Sequence, residues 1–285
     1  YELSAEEENI MERLVAAFTN CEKLQRHMRF LLKKGSLYKV HNNNLLYHGC
    51  VPLNEDKSFK SVEVYGKEYK GKALYDILES YVRKAFVAID EEEREKGKDI
   101  LWFIWSSPGS PLFGKDKMAT FERYFLAEKE THKEKKNPYY SLLEDEEVID
   151  NIMKEFGIGG ECSHIVNGHV PVHHTSGESP IKCDGKVLVI DGGFSKAYQK
   201  ETGIAGYTLI YNSWGMILAA HEPFTSTEDA ITRETDILSD SILVKRTSYR
   251  KTVGDTNNGR HLQENIEDLK KLLEAYRNGT IIEKE

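Results

Sequence analysis

The chain has 285 residues, of which 39% are hydrophobic and 30% are charged, and its formal net charge is −8. This length allows one large domain or two of ordinary size, and the acidic balance argues against a nucleic-acid-binding or anionic-membrane surface. No apolar run approaches the roughly 20 residues that span a bilayer, so we expect no membrane contact. The four cysteines form no C-x-x-C pair and the first residues do not resemble a signal peptide, which favours reduced thiols and a cytoplasmic location.

The first third of the chain predicts a helical segment, two hairpins and a second helix. A Ser-x-x-Glu capping box opens a near-helical apolar pattern over residues 4–35, with a break at Thr19-Asn20. Short β-prone runs separated by polar or glycine-containing turns predict hairpins over 36–53 and 62–71. The stretch 73–89 has the periodicity of an amphipathic helix.

The remainder mixes strands with helices. We interpret the acidic run 90–99 as a solvated segment that contains a loop, and the run "ILWFIWSSPGSPLFGK" as a buried strand that ends in a Ser/Pro/Gly loop. Helical stretches are predicted near 119–128 and 145–156, followed by strands that include "KVLVI" and a hairpin turning at Asn212–Gly215. A last helix begins after Thr256 or Asn257. This pattern predicts an α/β fold with a mixed sheet and several hairpins.

Two of the ten histidines stand out by their surroundings. His48 and His169 each follow a short apolar run, each adjoins a glycine (Gly49 and Gly168), and each precedes Val-Pro within a few residues. Strand ends are common places for functional side chains, and neutral imidazole suits divalent transition metals. The residues alone leave two interpretations open: both histidines bind one metal ion, or both are buried and hydrogen-bonded to backbone. Asp191, at the end of "KVLVI", has three possible roles: it binds the metal, it accepts a hydrogen bond from a metal-binding side chain, or it forms a turn.

A structural zinc site is a competing interpretation, although its ligand spacing matches no familiar zinc motif. Its candidate ligands are Cys162, His164, His169, His173, His174 and Cys183. The sequence contains no P-loop, no G-x-G-x-x-G and no G-x-S-x-G, so nucleotide-binding and serine-hydrolase functions lose their usual support.

Three ordered motifs, "LLYHGCVP", "WFIWSSPGSP" and "IVNGHVPV", resemble the C-terminal half of calcineurin-like metallophosphoesterases. The further stretches "RHMRFLLKKGSLY", "LFGKDKMATFERYF", "THKEKKNPYY" and "VIDGGFSKAYQKETGIAGYTLIYNSWGM" resemble one branch, the class III fructose-1,6-bisphosphatases of bacteria. The similarity extends over residues 4–277. It implies the C-terminal half of a layered α/β/β/α metallophosphoesterase sandwich.

The resemblance also implies a two-metal phosphomonoesterase that uses two divalent ions, commonly manganese. His48 and His169 match the family's two late metal histidines and are expected on the same ion, with Gly49, Gly168 and Asp191 around them. The groups expected to hold the sugar bisphosphate are Lys115, Arg123, Lys196 and Tyr198.

The chain departs from the family pattern at its beginning. The motifs D-x-H, G-D-x-x-D-R-G and G-N-H-[DE], which supply the other metal ligands, the bridging Asp and the proton-handling His, are absent. Since the chain also begins with Tyr rather than Met, we expect a C-terminal piece that is inactive, or nearly so, by itself. The resulting division is a helix that follows a missing N-terminal region or an insertion (1–35), the C-terminal half of the metallophosphoesterase domain (36–255), and a C-terminal helix and tail (256–285).

The function implied by the resemblance is hydrolysis of fructose 1,6-bisphosphate to fructose 6-phosphate in gluconeogenesis. The expected partners are this substrate and the N-terminal part of the same enzyme, and a homo-oligomer is compatible with the sequence. Two alternatives stay open. The chain could serve another phosphoester, such as a phosphoprotein or dinucleotide, or it could be a non-catalytic binding module with a structural zinc.

Overall fold

The computed structural model describes residues 2–160, 162–191, 196–223, 226–234 and 239–282, without the side chains of 196–198 and 239. Along these ranges the α-helices are α1 Ala5–Thr19, α2 Glu22–Lys34, α3 Gly71–Val87, α4 Glu91–Ser106, α5 Thr120–Phe125, α6 Glu146–Glu155, α7 Lys196–Thr202, α8 Thr227–Arg233 and α9 Asn257–Arg277. The strands are β1 Tyr38–His41, β2 Asn44–Tyr47, β3 Val62–Val64, β4 Lys67–Tyr69, β5 His164–Asn167, β6 Ile181–Lys182, β7 Val187–Val189, β8 Gly206–Asn212, β9 Gly215–His221 and β10 Ser239–Arg246. None of the described helices has the length and apolar character needed to cross a membrane.

The central sheet has five strands in the order β1-β2-β5-β7-β6. Its two edge strands run antiparallel to their neighbours, whereas β2, β5 and β7 are parallel to one another. A separate antiparallel sheet has the order β10-β9-β8, and β3 and β4 form a small hairpin. The predicted α/β architecture with a mixed sheet and several hairpins is therefore confirmed.

The two faces of the central sheet are covered differently. Leu45 and Ile165 point into the main core, where Ile149 and Ile152 of α6 pack with them. Because side chains alternate along a strand, the neighbouring Leu46 points to the opposite face, and 38% of it is exposed. The three-stranded sheet covers part of that second face. The three-stranded sheet packs on β5 and β7. It leaves Leu46 of β2 partly exposed.

The predicted loop within 90–99 and the predicted strand that begins at Ile100 are wrong, whereas the Ser/Pro/Gly loop after them is confirmed. The acidic run and the apolar residues 100–106 belong to one helix, α4, whose first turn is capped by Asp90 through the Glu93 amide. Ile100 and Ile104, four residues apart, pack against Leu74 and Leu78 of α3. A short apolar run does not by itself separate a buried strand from a helix. Here the cap and the acidic first turn begin a helix that continues through the run.

Several local predictions are confirmed. Ser4 and Glu7 form the capping box of α1, and the helical segment breaks between α1 and α2. The hairpins β1–β2 and β8–β9 form in the predicted places. Thr256 caps α9 by accepting a hydrogen bond from the Gly259 amide. Strands β6 and β10 were not predicted.

Candidate active site

Three strand ends meet at one edge of the central sheet. His48 directly follows β2, Gly168 and His169 follow β5, and Asp191 comes two residues after β7. Because these three strands are adjacent and parallel, their carboxyl ends lie at the same edge. The register therefore brings together residues that are more than 120 positions apart in the sequence. The sheet topology explains why both strand-end histidines reach one site.

The two imidazoles face each other directly. His169 Nδ1 lies 2.9 Å from His48 Nε2, and the ring centroids are 4.8 Å apart with the planes at 76°. His169 Nε2 lies 3.0 Å from the carbonyl oxygen of Phe113. Since a carbonyl only accepts, this network assigns the His169 proton to Nε2 and makes Nδ1 an acceptor for the Nε2–H of His48.

The surroundings of His169 favour its neutral form. Burial is the main cause that lowers its pKa, and the neighbouring His48 and Lys115 lower this pKa further. The Phe113 carbonyl and Asp191 act in the opposite direction without reversing the shift. A neutral imidazole keeps a lone pair available for a metal ion or a proton.

The backbone around the pair is tightly constrained. His169 adopts a φ of 69°, in the left-handed region that non-glycine residues seldom occupy, and such strain is concentrated at functional sites. At Gly49, a Cβ atom would lie 2.3 Å from the carbonyl oxygen of Pro111. The same carbonyl accepts a hydrogen bond from the Cys50 amide at 2.8 Å. Gly49 is thus required by the close approach of the Pro111 backbone.

The loop after α4 forms one wall of the site, and sequence reasoning missed this role. Ser110 is 1% exposed, and its hydroxyl donates to the Ile104 carbonyl at 2.6 Å while accepting from the Leu112 and Phe113 amides. These bonds fix the loop so that the Phe113 carbonyl points at His169. The Ser/Pro/Gly composition indicated a loop, but nothing in the sequence indicates where this carbonyl points.

Asn167 was also missed. It is 2% exposed, directly precedes Gly168, and donates from its side-chain amide to the carbonyl of Gly49 at 3.2 Å. The Gly168 amide donates to the carbonyl of His48 at 3.0 Å. These two bonds join the ends of β2 and β5 and therefore fix the distance between the two histidines.

The histidine pair supplies only part of a metal site. Ligand bonds of ~2.1 Å at right angles place neighbouring donor atoms about 3 Å apart, which matches the separation of the two facing nitrogens. Within the described ranges, however, no group of three or more His, Cys, Asp or Glu side chains could hold a metal ion. Asp191 lies beside Gly168 without completing such a group.

The same observation argues against the zinc interpretation. Its six candidate ligands do not gather into a metal-binding group in the part of the chain that the structure describes. His164 is 5% exposed and its Nδ1 bonds to Asn44 Oδ1 at 3.1 Å, and His169 faces His48 instead.

The predicted sugar-binding residues have different positions. Lys115 follows the Phe113 loop, is close enough for its charge to lower the pKa of His169, and pairs with Glu134 at 2.9 Å. Arg123, on α5, is more than half exposed and lies 3.6 Å from the same carboxylate. The side chains of Lys196 and Tyr198 lie outside the described residues.

An open cleft of about 520 Å³ lies beside the histidines. His48, His169 and Asp191 line it together with the apolar Leu46 and Val166 and with lysines at the end of α2 and in β1. A cleft with apolar lining and a few polar groups is a typical ligand site.

Comparisons with known proteins give matches over nearly the whole chain. The family described as Firmicute fructose-1,6-bisphosphatase matches residues 1–278. The chain is 57% identical to a class 3 fructose-1,6-bisphosphatase of Clostridioides difficile, over 99% of this chain and 43% of that protein. It is 54% identical to one from Clostridium beijerinckii, over 99% and 42%, and 52% identical to one from Listeria innocua, over 99% and 44%. No solved structure matches the chain.

The match covers nearly the whole chain, but the chain spans less than half the length of these relatives. The strand-end histidines and the loop that faces them all fall within the matched residues. The chain belongs to the Firmicute fructose-1,6-bisphosphatase family.

Proposed function

We propose that this chain forms one part of an enzyme that hydrolyses fructose 1,6-bisphosphate to fructose 6-phosphate and phosphate. The relatives that match 99% of the chain bear the name of this activity. The observation that carries the proposal is the facing pair of His48 Nε2 and His169 Nδ1, 2.9 Å apart, at the edge where three parallel strands end. A cytoplasmic location follows from the same proposal.

The proposed cofactors are two divalent ions, with manganese as the expected metal, and both histidines are proposed ligands of one of them. When bound, such ions activate water and neutralise charge on the transferred phosphoryl group. The support from this chain is the ~3 Å separation of two nitrogens and the lowered pKa of His169, which keeps its lone pair available. The Phe113 carbonyl holds the His169 Nε2–H, so that Nδ1 faces His48 and the cleft.

The remaining ligands are proposed to come from the N-terminal part of the same enzyme. Two observations support this. The relatives are more than twice as long as the chain, and two histidines do not complete a metal site within the described residues. In this proposal the chain supplies the five-stranded sheet and the three-stranded sheet that covers part of it, and the N-terminal part completes the layered α/β/β/α metallophosphoesterase sandwich.

The test is phosphate release from fructose 1,6-bisphosphate in the presence of manganese. The 285-residue chain is assayed alone and co-expressed with an N-terminal segment that carries the motifs it lacks. We expect activity only in the assembled protein, with a loss of at least 100-fold on His169→Ala, since each missing ligand misplaces the attacking water. His174→Ala, an exposed histidine five residues away, is the matched control and should keep full activity.

Equal activity of the His169→Ala and wild-type assemblies would show that His169 is not part of the active site. A folded, manganese-loaded assembly that released no phosphate from this substrate would contradict the proposed reaction. Manganese retention, measured on the same samples by metal analysis, separates these two outcomes.

A further inference from the structure

A second pocket, of about 250 Å³, is bordered by the loop after α4 that carries Phe113. Three segments build its walls: the turn after β2, the loop that follows α4, and the segment before Tyr139. Asn137 joins the first and third walls, because its Oδ1 accepts from the Leu53 amide at 3.1 Å. The backbone amide of Asn137 in turn donates to the Gly114 carbonyl at 2.9 Å. The walls are therefore fixed relative to one another.

The pocket has a positive lining although the whole chain is acidic. Four lysines and only two carboxylates line it, whereas the chain has a net charge of −8. The lysines are Lys60, Lys115, Lys135 and Lys136. A concave surface with a surplus of one charge concentrates ligands of the opposite charge.

Two of these lysines already have partners. Lys115 pairs with Glu134 at 2.9 Å, and Lys135 pairs with Glu55 at 2.7 Å. Within the described ranges the structure shows no hydrogen bond or ion pair for the ammonium groups of Lys60 and Lys136, although Lys60 is half-buried. Ammonium groups without a protein partner leave their positive charge available to an anion in the pocket.

The pocket and the histidine pair contact the same loop, the one that follows α4. Gly114 and Lys115 line it, and the adjacent Phe113 carbonyl lies 3.0 Å from His169 Nε2. A sugar bisphosphate carries two phosphates, and only one of them is cleaved. The phosphate that is not cleaved needs cationic partners at a distance from the reacting centre that one hexose can span.

We propose that this pocket binds the phosphate group that the substrate retains, with Lys60 and Lys136 as its principal cationic partners and Lys115 on the side nearer His169. This inference rests on the proposed function and assigns a place to the non-reacting end of its substrate. The ligand chemistry is a phosphate monoester dianion on a sugar.

The test measures binding of fructose 6-phosphate, inorganic phosphate and fructose to the chain by amide NMR shifts and calorimetry. We expect both phosphates to shift the amides of Leu53, Gly114 and Asn137, with fructose 6-phosphate binding at least as tightly, and fructose to shift none. Lys60→Gln and Lys136→Gln should each weaken binding about tenfold, the usual effect of losing one charge-assisted hydrogen bond. Lys98→Gln, an exposed α4 lysine paired with Glu95, makes the same charge change outside the pocket and should leave binding unchanged.

Unchanged affinity in both pocket variants, or shifts confined to residues elsewhere, would overturn the proposal. Binding of inorganic phosphate without fructose 6-phosphate would overturn the assignment to the substrate, since the pocket would then hold the free anion. A loss of affinity in Lys98→Gln equal to that in the pocket variants would indicate a general charge effect and would also contradict the proposal.

The assembled enzyme separates failure of this inference from failure of the proposed function. With fructose 1,6-bisphosphate, Lys60→Gln should raise KM about tenfold and affect KM more than kcat, because the retained phosphate is remote from the bond that breaks. If the wild-type assembly hydrolysed no fructose 1,6-bisphosphate while the chain still bound fructose 6-phosphate in the pocket, the proposed reaction would fail and the binding site would stand. Full activity with an unchanged KM in Lys60→Gln would overturn the proposed phosphate site and leave the proposed reaction standing.

Discussion

The central sheet and the helices at the two ends of the chain bury their apolar residues very differently. Leu45 and Ile165, in neighbouring strands, are completely buried. In contrast, none of the residues that the structure describes in α1 and α2 is buried, and in α9 only Gly259 is. We infer that the position of the histidine pair depends on the core of the sheet, because that core fixes the strand register. The terminal helices have little influence on it through the described contacts.

The largest expected effect is a truncation in this core. Ile165→Ala in β5 should destabilise the chain by about 4 kcal/mol, because it removes buried methylenes and leaves a cavity between β5 and α6. Chemical denaturation followed by circular dichroism measures the change in the free energy of unfolding. A loss below about 1 kcal/mol would show that the sheet is much less tightly packed than the structure indicates.

The next largest effect comes from a buried histidine at the start of the same strand. Burial, together with the smaller effect of the charges of Lys245 and Lys251, lowers the pKa of His164 to about 4 from its ordinary 6.5. The folded chain therefore binds fewer protons than the unfolded chain between these values. Stability is full above pH 6.5 and falls as the pH decreases towards 4, by roughly 3 kcal/mol at about 1.4 kcal/mol per pH unit.

Unfolding free energies of wild type and His164→Gln between pH 4 and pH 7.5 test this linkage. The variant should show a shallower pH dependence over that window, whereas His261→Gln on the exposed face of α9 should match wild type. Identical slopes for wild type and His164→Gln would contradict a buried neutral imidazole at this position.

A smaller effect is expected at the junction between the sheet and the site. Gly49→Ala would place a methyl group 2.3 Å from the Pro111 carbonyl oxygen, so the loop after α4 must move. We expect a cost of about 2 kcal/mol and a displaced Phe113 carbonyl. The His169 imidazole signals in an NMR spectrum should shift with it. Wild-type stability and unchanged His169 signals would show that the loop does not pack against β2 as described.

The smallest effect is expected in the last helix. Leu269→Ala on α9, where 63% of the leucine is exposed, should change the unfolding free energy by less than about 0.5 kcal/mol. The measurement is the same denaturation used for Ile165→Ala. A loss comparable to that of Ile165→Ala would break the distinction between the core and the terminal helices.

Local features of the fold could be predicted from the sequence, because they depend on neighbouring residues. The capping box at Ser4, the β1–β2 hairpin and the cap at Thr256 all involve contacts within a few positions. Helix α4 could not be predicted reliably, because its buried side is decided by packing against α3. Trp102 and Trp105 made the run resemble a buried strand in the sequence, but both are exposed in the structure.

The site was predictable only in part for the same reason. His48 and His169 each follow a strand, and such positions can be recognised one at a time in the sequence. Their pairing needs the parallel register of β2 and β5, which is a tertiary fact. The Phe113 carbonyl and the gathering of Lys60, Lys115 and Lys136 arise from chain folding across distant segments and leave no local signal.

The most direct test of the account is whether a divalent ion reaches both histidines together. Substoichiometric manganese is added to the chain assembled with the N-terminal part, and paramagnetic broadening of the chain's imidazole NMR signals is followed. We expect the His48 and His169 signals to broaden in parallel and before the others, while exposed His27 and His174 stay sharp. Broadening of only one of the pair, or equal broadening of all histidines, would contradict a shared metal site at this edge of the sheet.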